Sequence, residues 1–239
     1  MAVIVFMHAF GSSGRAWQPQ IRQLGDSHRV LAPDLPGHGA TPGPFSLERA
    51  VASIRSVILG EAEPVHLVAV SGSVSVALLV ALAEPAQVAG LILSGGTAHG
   101  GRGDAVQRLM VRLMPEGLIV SILKGMYAGG KAEHLDQAAQ DLRHAGKATI
   151  LAGLAELGRL DLRDRLGEIK VPALVLNGAK DKANLPHAEE IAAGIHGAEH
   201  RVIPNAGHIW NLEQPELFTR TIHEFVRAVS APSPSSTRA

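Results

Sequence analysis

Three residue types that together can activate a hydroxyl stand just beyond three apolar runs. Ser71 follows Val65–Val70, Asp181 follows Val171–Asn177 through Gly178-Ala179-Lys180, and His208 follows His200–Ile203 through Pro204-Asn205-Ala206-Gly207. A serine hydroxyl is a weak nucleophile at neutral pH. It needs an imidazole to take its proton, and the imidazole needs a carboxylate to fix its tautomer. On this reading Ser71 is the candidate nucleophile, His208 the base and Asp181 the orienting acid, for acyl transfer through a covalent intermediate. The chain order Ser, Asp, His is the one expected when the nucleophile sits on a strand-to-helix turn. A lone loop aspartate is usually a surface charge and a lone histidine usually structural; several such loops in this order are hard to obtain by accident.

The turn itself is Ser71-Gly72-Ser73, between the run Val65–Val70 and an apolar helix. A turn this sharp needs small residues two places before and after the serine. Here they are Ala69 and Ser73, so the motif reads Ala-x-Ser-x-Ser rather than G-x-S-x-G. Ser73 and Ser75 are rival nucleophiles. Ser73 has small neighbours in Ser71 and Ser75, but it falls inside the helix, whereas Ser71 is the first residue past the strand. Acyl transfer also needs two preorganised donors for the developing oxyanion. The loop His8-Ala9-Phe10-Gly11, after the run Val3–Met7, offers the Phe10 N–H, and the residue after the nucleophile offers the Gly72 N–H. His8 lies too early in its loop for a base and reads as structural.

Elements that could position these residues alternate along the chain. Strand-like runs are Val3–Met7, Val30–Ala32, Val65–Val70, Gly90–Leu93, Val171–Asn177 and His200–Ile203; helical spacing covers Ala16–Leu24, Ser46–Leu59, Val74–Leu82, His187–His196 and Pro215–Val229. Near-continuous apolar strands alternating with helices predict an α/β fold, a mostly parallel sheet covered on both faces. From about Thr97 to Leu166 the alternation stops. Val106, Leu109, Met110, Leu113 and Met114 keep helical spacing, Pro115 opens a segment through Met126, and Ala132–His144 and Ala148–Leu157 continue it. The expected organisation is a core of residues 1–96 and 167–229, an all-helical insertion at 97–166 roofing the sheet edge, and a disordered Ser/Pro-rich tail at 230–239. Arg102, Arg108, Arg112, Arg143 and Arg159 fall in or near the insertion and are expected to face solvent.

Over nearly its whole length the sequence resembles the α/β-hydrolase superfamily, in the branch with a helical cap. The resemblance rests on FMHAFGSSGRAW (Phe6–Trp17), DLPGHG (Asp34–Gly39), LVAVSGS (Leu67–Ser73), PALVLNGAKD (Pro172–Asp181) and NAGHIWNLEQPE (Asn205–Glu216). It implies the α/β-hydrolase fold and hydrolysis of an ester, thioester or amide through an acyl-enzyme; the serine excludes the aspartate-nucleophile branches. DLPGHG is a loop near the site entrance in such proteins, more often structural than catalytic. Ala9, Ala69 and Ser73 stand where relatives usually have glycine. A carboxylic ester of a small or medium, mostly uncharged substrate is the expected target. Carbon–carbon bond hydrolysis or elimination, perhydrolysis, and a catalytically weak protein that binds a small molecule are the alternatives.

The remaining composition narrows the partners. Of 239 residues, 22 are basic and 22 acidic, so no electrostatic attraction to nucleic acid or an anionic membrane is expected. There is no cysteine, which excludes disulfides, thiolate metal sites and a cysteine nucleophile. The 12 histidines form no HExxH or comparable pair at ligand spacing, so neither a metal nor another cofactor is expected. The uncharged stretch Pro64–Ala83 breaks at the Ser71-Gly72-Ser73 turn and reads as a buried strand and helix. Met1–Phe10 lacks the basic start and cleavage site of a signal peptide, which places the chain by expectation in the cytoplasm.

Overall fold

In the computed structural model, which describes residues 1–101, 104–126 and 132–230, each apolar run becomes a strand. The strands are β1 (Val3–Met7), β2 (Arg29–Leu31), β3 (Val65–Val70), β4 (Val88–Ser94), β5 (Ala173–Gly178) and β6 (Glu199–Ile203). They pair in parallel throughout, in the order β2-β1-β3-β4-β5-β6. Helices α1 (Gln18–Leu24), α2 (Leu47–Leu59), α3 (Ser73–Ala83), α4 (Asp104–Leu113), α5 (Glu116–Met126), α6 (Ala132–Leu157), α7 (Leu185–Gly194), α8 (Trp210–Glu213) and α9 (Pro215–Ser230) occupy the connections.

The pleat sorts the strands' side chains onto two faces. Val3, Val5, Met7, Leu67, Ala69, Leu91, Leu93 and Val175 join α2, α3 and α7 in one core. Their neighbours Ile4, Phe6, Val68, Val70, Ile92, Leu174 and Leu176 join Trp17, Trp210, Phe218 and Ile222 in the other. Burial on both faces is why these strands read as unbroken apolar runs. Between β4 and β5, helices α4 to α6 make a small core of their own from Ile119, Val120, Ala139 and Leu142, with Val111, Met114 and Ile150 against it. Gly146 interrupts α6 at φ 73° and ψ 159°, between the two helical stretches that the sequence suggests.

Element ends differ from the sequence reading for local reasons. The helix expected over Ala16–Leu24 opens as a 3₁₀ turn, Gly14–Trp17, capped by the Ser13 hydroxyl, with α1 starting afresh at Gln18 beside Pro19. The strand expected from Val171 starts at Ala173, because Pro172 has no N–H for the ladder; its carbonyl instead accepts from Leu91. The expected tail lies outside the described residues beyond Ser230, as does Arg102. Among the described residues no helix is long and apolar enough to cross a membrane.

Order reverses between β1 and β3: the chain leaves β1 toward β2 on one side and returns to β3 on the other. At such a switch point the loops leaving the two strands diverge and open a crevice at their C-terminal ends. The loop after β1 carries Phe10, and the turn after β3 carries Ser71.

Candidate active site

Ser71 has φ 56°, one of two non-glycine residues with positive φ among those described. The αL conformation costs a residue with a Cβ roughly 1–3 kcal/mol and is kept where the surroundings enforce it. Here the Ser71 N–H donates to Ser94 O on β4 at 2.8 Å, and Val74 N–H donates to Ser71 O at 3.0 Å. Ser73, first residue of α3, is fully buried. Its hydroxyl lies 2.9 Å from the carbonyls of Met7 and Val70 and accepts from Val70 N–H at 3.1 Å. It therefore ties the ends of β1 and β3 together and is closed to substrate. Ser75 is buried too, donating to Thr97 O at 2.7 Å.

Phe10 and Gly72 meet at the same edge. A Cβ on Gly72 would stand 2.6 Å from the Phe10 ring, so only glycine permits this approach. Among the described residues neither amide donates to a protein acceptor. The loop bearing Phe10 is held by two buried imidazoles. His38 Nε2 accepts from Gly11 N–H at 2.9 Å, and His8 Nε2 accepts from Leu35 N–H at 3.0 Å. Each ring's Nδ1 donates to a carbonyl, His8 to Ala9 and His38 to Pro36. Burial drives both pKa values down, that of His8 to about 4, which keeps the rings neutral and able to accept. Asp34 completes the brace, accepting from Gly14 and Ala40 N–H at 2.7 Å each. The Asp34–Gly39 run is thus structural, as the resemblance implies, and His8 is structural as its position implies.

Asp181 and His208 arrive from the loops after β5 and β6. His208 Nε2 lies 3.0 Å from Ser71 Oγ, and His208 Nδ1 lies 2.6 Å from Asp181 Oδ2. The carboxylate can only accept, so the proton sits on Nδ1 and Nε2 faces the serine as a lone pair. Asn184 Nδ2 donates to both Asp181 oxygens, at 2.8 and 3.0 Å. Burial opposes ionisation of Asp181, but the hydrogen bonds from His208 and Asn184, with the His208 charge, outweigh it and hold the carboxyl below its ordinary pKa. Glu213 at the end of α8 accepts from Gly207 N–H at 2.8 Å and steadies the loop before His208. Gly95, at φ 61°, passes behind the pair, and a Cβ there would stand 3.1 Å from His208 Nδ1 and 3.2 Å from Asp181 Oδ2. Neither Asn184 nor Glu213 carries a sequence signal beyond its nearness to Asp181 and His208.

Ser71 opens into a cavity of about 610 Å³. Its apolar wall comes from α4 to α6, through residues such as Met110, Ile119, Ile150 and Leu154; Thr97, His99 and His187 supply polar edges. Among the described residues no lysine or arginine lines it. Arg112, Arg143 and Arg159 are exposed, and Arg108 is half-buried.

One grouping escaped the sequence reading. His99, in the loop after β4, and His187 and Glu190, one turn apart on α7, bring donor atoms within 4.8 Å of one another. The His187-x-x-Glu190 spacing was the available half of that signal; the third member comes from a different element.

Comparison with known proteins agrees with this architecture. The sequence model described as "Alpha/beta hydrolase family" matches residues 4–221. The chain is similar to a Variovorax paradoxus protein named as a carbamate hydrolase, RutD, at 31% identity over 96% of this chain and 93% of that protein. It is also similar to a pimeloyl-[acyl-carrier protein] methyl ester esterase of Neisseria meningitidis, at 29% identity over 95% and 94%. Among solved structures, a thermophilic esterase from Thermogutta terrifontis superposes with TM-score 0.85 and 27% identity, covering 97% of this chain and 91% of that one.

Proposed function

This chain belongs to the alpha/beta hydrolase family of enzymes, and we propose that within it the protein is a serine hydrolase cleaving small to medium, mostly apolar carboxylic esters. The observation that carries the reading is the unbroken contact from Ser71 Oγ through His208 to Asp181, 3.0 and 2.6 Å. His208 Nε2 takes the hydroxyl proton as Ser71 Oγ bonds to the substrate's carbonyl carbon. Asp181 holds Nδ1–H and stabilises the imidazolium. The carbonyl oxygen becomes an oxyanion between the Phe10 and Gly72 amides, each such donor contributing roughly 3 kcal/mol to the transition state. On collapse the alkoxide leaves with the proton from His208, and the acyl group stays on Ser71. Water then attacks the acyl carbon, giving its proton to His208; expulsion of Ser71 Oγ returns that proton to the serine and releases the acid.

The apolar wall supplied by α4 to α6 supports an uncharged acyl or alcohol part, with these helices serving as a cap over the cleft. A panel of p-nitrophenyl esters of graded chain length tests it. Turnover with a chain-length optimum is expected; no turnover of any ester contradicts it. The RutD relative favours a second substrate, a carbamate, which the same serine would attack to give a carbamoyl-enzyme. Sustained turnover of p-nitrophenyl carbamates favours the carbamate, whereas a burst that stalls at the carbamoyl-enzyme favours the ester.

A further inference from the structure

We propose that His99, His187 and Glu190 form a binding site for a divalent transition-metal ion, zinc by its ligand set, on the wall of the substrate cavity. The two imidazoles line the cavity, whereas Glu190 stands behind them on α7. His187 and Glu190 are three residues apart on that helix and so share one face. His99 reaches them from the loop after β4, its ring centroid 5.2 Å from that of His187.

The hydrogen bonds around the cluster decide what it can hold. His99 Nδ1 lies 2.6 Å from the Gly100 carbonyl, which can only accept, so Nδ1 carries the proton. His99 Nε2 then faces Glu190 Oε1, 3.2 Å away. That oxygen is buried and accepts no hydrogen bond. An imidazole nitrogen and a carboxylate oxygen at this distance call for a positive charge shared between them, a proton or a metal ion. His187 is fixed in the same way. Thr97 Oγ1 spends its proton on His99 O at 2.6 Å, so it serves His187 Nδ1, 3.3 Å away, as an acceptor. His187 Nε2 is left as an unprotonated donor.

Metal-binding histidines are commonly oriented in this manner, with the second ring nitrogen donating to a carbonyl or other fixed oxygen. Two neutral imidazoles and one carboxylate suit Zn²⁺, with a fourth position left for water or substrate. Donors on a tetrahedral zinc stand roughly 3.4 Å apart, close to the separation already present between His99 and Glu190. A cation here would give a cavity wall otherwise without positive side chains, among the described residues, a place for an anionic or carbonyl oxygen.

The test is calorimetric titration of the chelator-treated, untagged full chain with Zn²⁺, supported by the visible absorption of the Co²⁺ form. One ion per chain is expected. Thr97→Val, which removes the acceptor holding His187 together with that hydroxyl's bonds to the His99 backbone, should weaken binding about 10- to 100-fold, and Glu190→Gln by at least as much. Thermal unfolding of the metal-free variants checks that they are folded. Absence of one-to-one binding, or binding equally tight in both variants, overturns the site. Fluorophosphonate labelling of Ser71 in the metal-free chain reports separately on the hydrolase reading.

Discussion

His208 stands between two groups on which the proposed reaction makes opposite demands, a hydroxyl that is to lose a proton and a carboxylate that is to stay ionised. Asp181 meets its side of this because Asn184 bonds both of its oxygens and His208 bonds one, which keeps it ionised despite burial. Asp181→Asn exchanges an obligate acceptor for a side chain that also donates. The His208 tautomer then reverses and Nε2 presents a proton to Ser71 instead of a lone pair. A fall in kcat of about 10⁴-fold is expected, as for comparable triads, with KM for the ester little changed; near-full activity would remove Asp181 from its role. Ser73 belongs to the same scale. Its hydroxyl satisfies Val70 N–H and reaches the Met7 and Val70 carbonyls in a fully buried position. Ser73→Ala should cost about 1–3 kcal/mol in denaturant unfolding. Ser71 should still react with a fluorophosphonate in that variant, and loss of the label from a folded protein would move the nucleophile.

At the scale of elements, the strands' C-terminal ends place Ser71, Asp181 and His208, and α4 to α6 line the cavity they open into. Leu154 and Ile150 on α6 face the same cavity as Ser71, so bulk added there should shorten the ester that fits. Leu154→Phe is expected to lower kcat/KM for the longest p-nitrophenyl esters by about tenfold, since one or two methylenes in an apolar pocket weigh roughly 1–3 kcal/mol, and to leave acetate turnover nearly unchanged. A uniform loss across the series would place Leu154 outside the acyl site. Much of this scale was legible in the sequence. Doubly buried parallel strands leave apolar runs, and each ended where a small or polar residue turned the chain toward the cleft. The gap left between Ala132–His144 and Ala148–Leu157 contains Gly146, where the backbone does break. The braces were not legible. His38 to Gly11, Trp210 Nε1 to Ser94 Oγ, and Thr97 to His187 join residues distant in sequence, and no periodicity records them.

For the whole molecule, the buried histidines are expected to lower stability toward acid. Burial pushes His8 and His66 down to about 4, so both stay neutral in the folded chain while the unfolded chain takes up protons near 6.5. The unfolded state therefore binds more protons between about pH 6.5 and 4. Stability is full above that window and falls as pH drops through it, by at most about 3 kcal/mol per histidine. His66 Nδ1 is buried without a partner and the ring packs against Phe225, so His66→Leu should lessen the loss of Tm between pH 7 and 5 without breaking a bond through that atom. An unchanged pH slope would show that His66 titrates normally. Across the molecule, the parallel order with its reversal between β1 and β3 brings the Phe10 loop and the Ser71 turn together, and the loops after β5 and β6 deliver Asp181 and His208.

Whether that convergence activates Ser71 is read by intact-protein mass spectrometry after exposure to a fluorophosphonate. One adduct on the wild-type chain, absent from Ser71→Ala and strongly slowed in His208→Ala, is the expected result. No adduct on the wild type, or an adduct that survives Ser71→Ala, would contradict it.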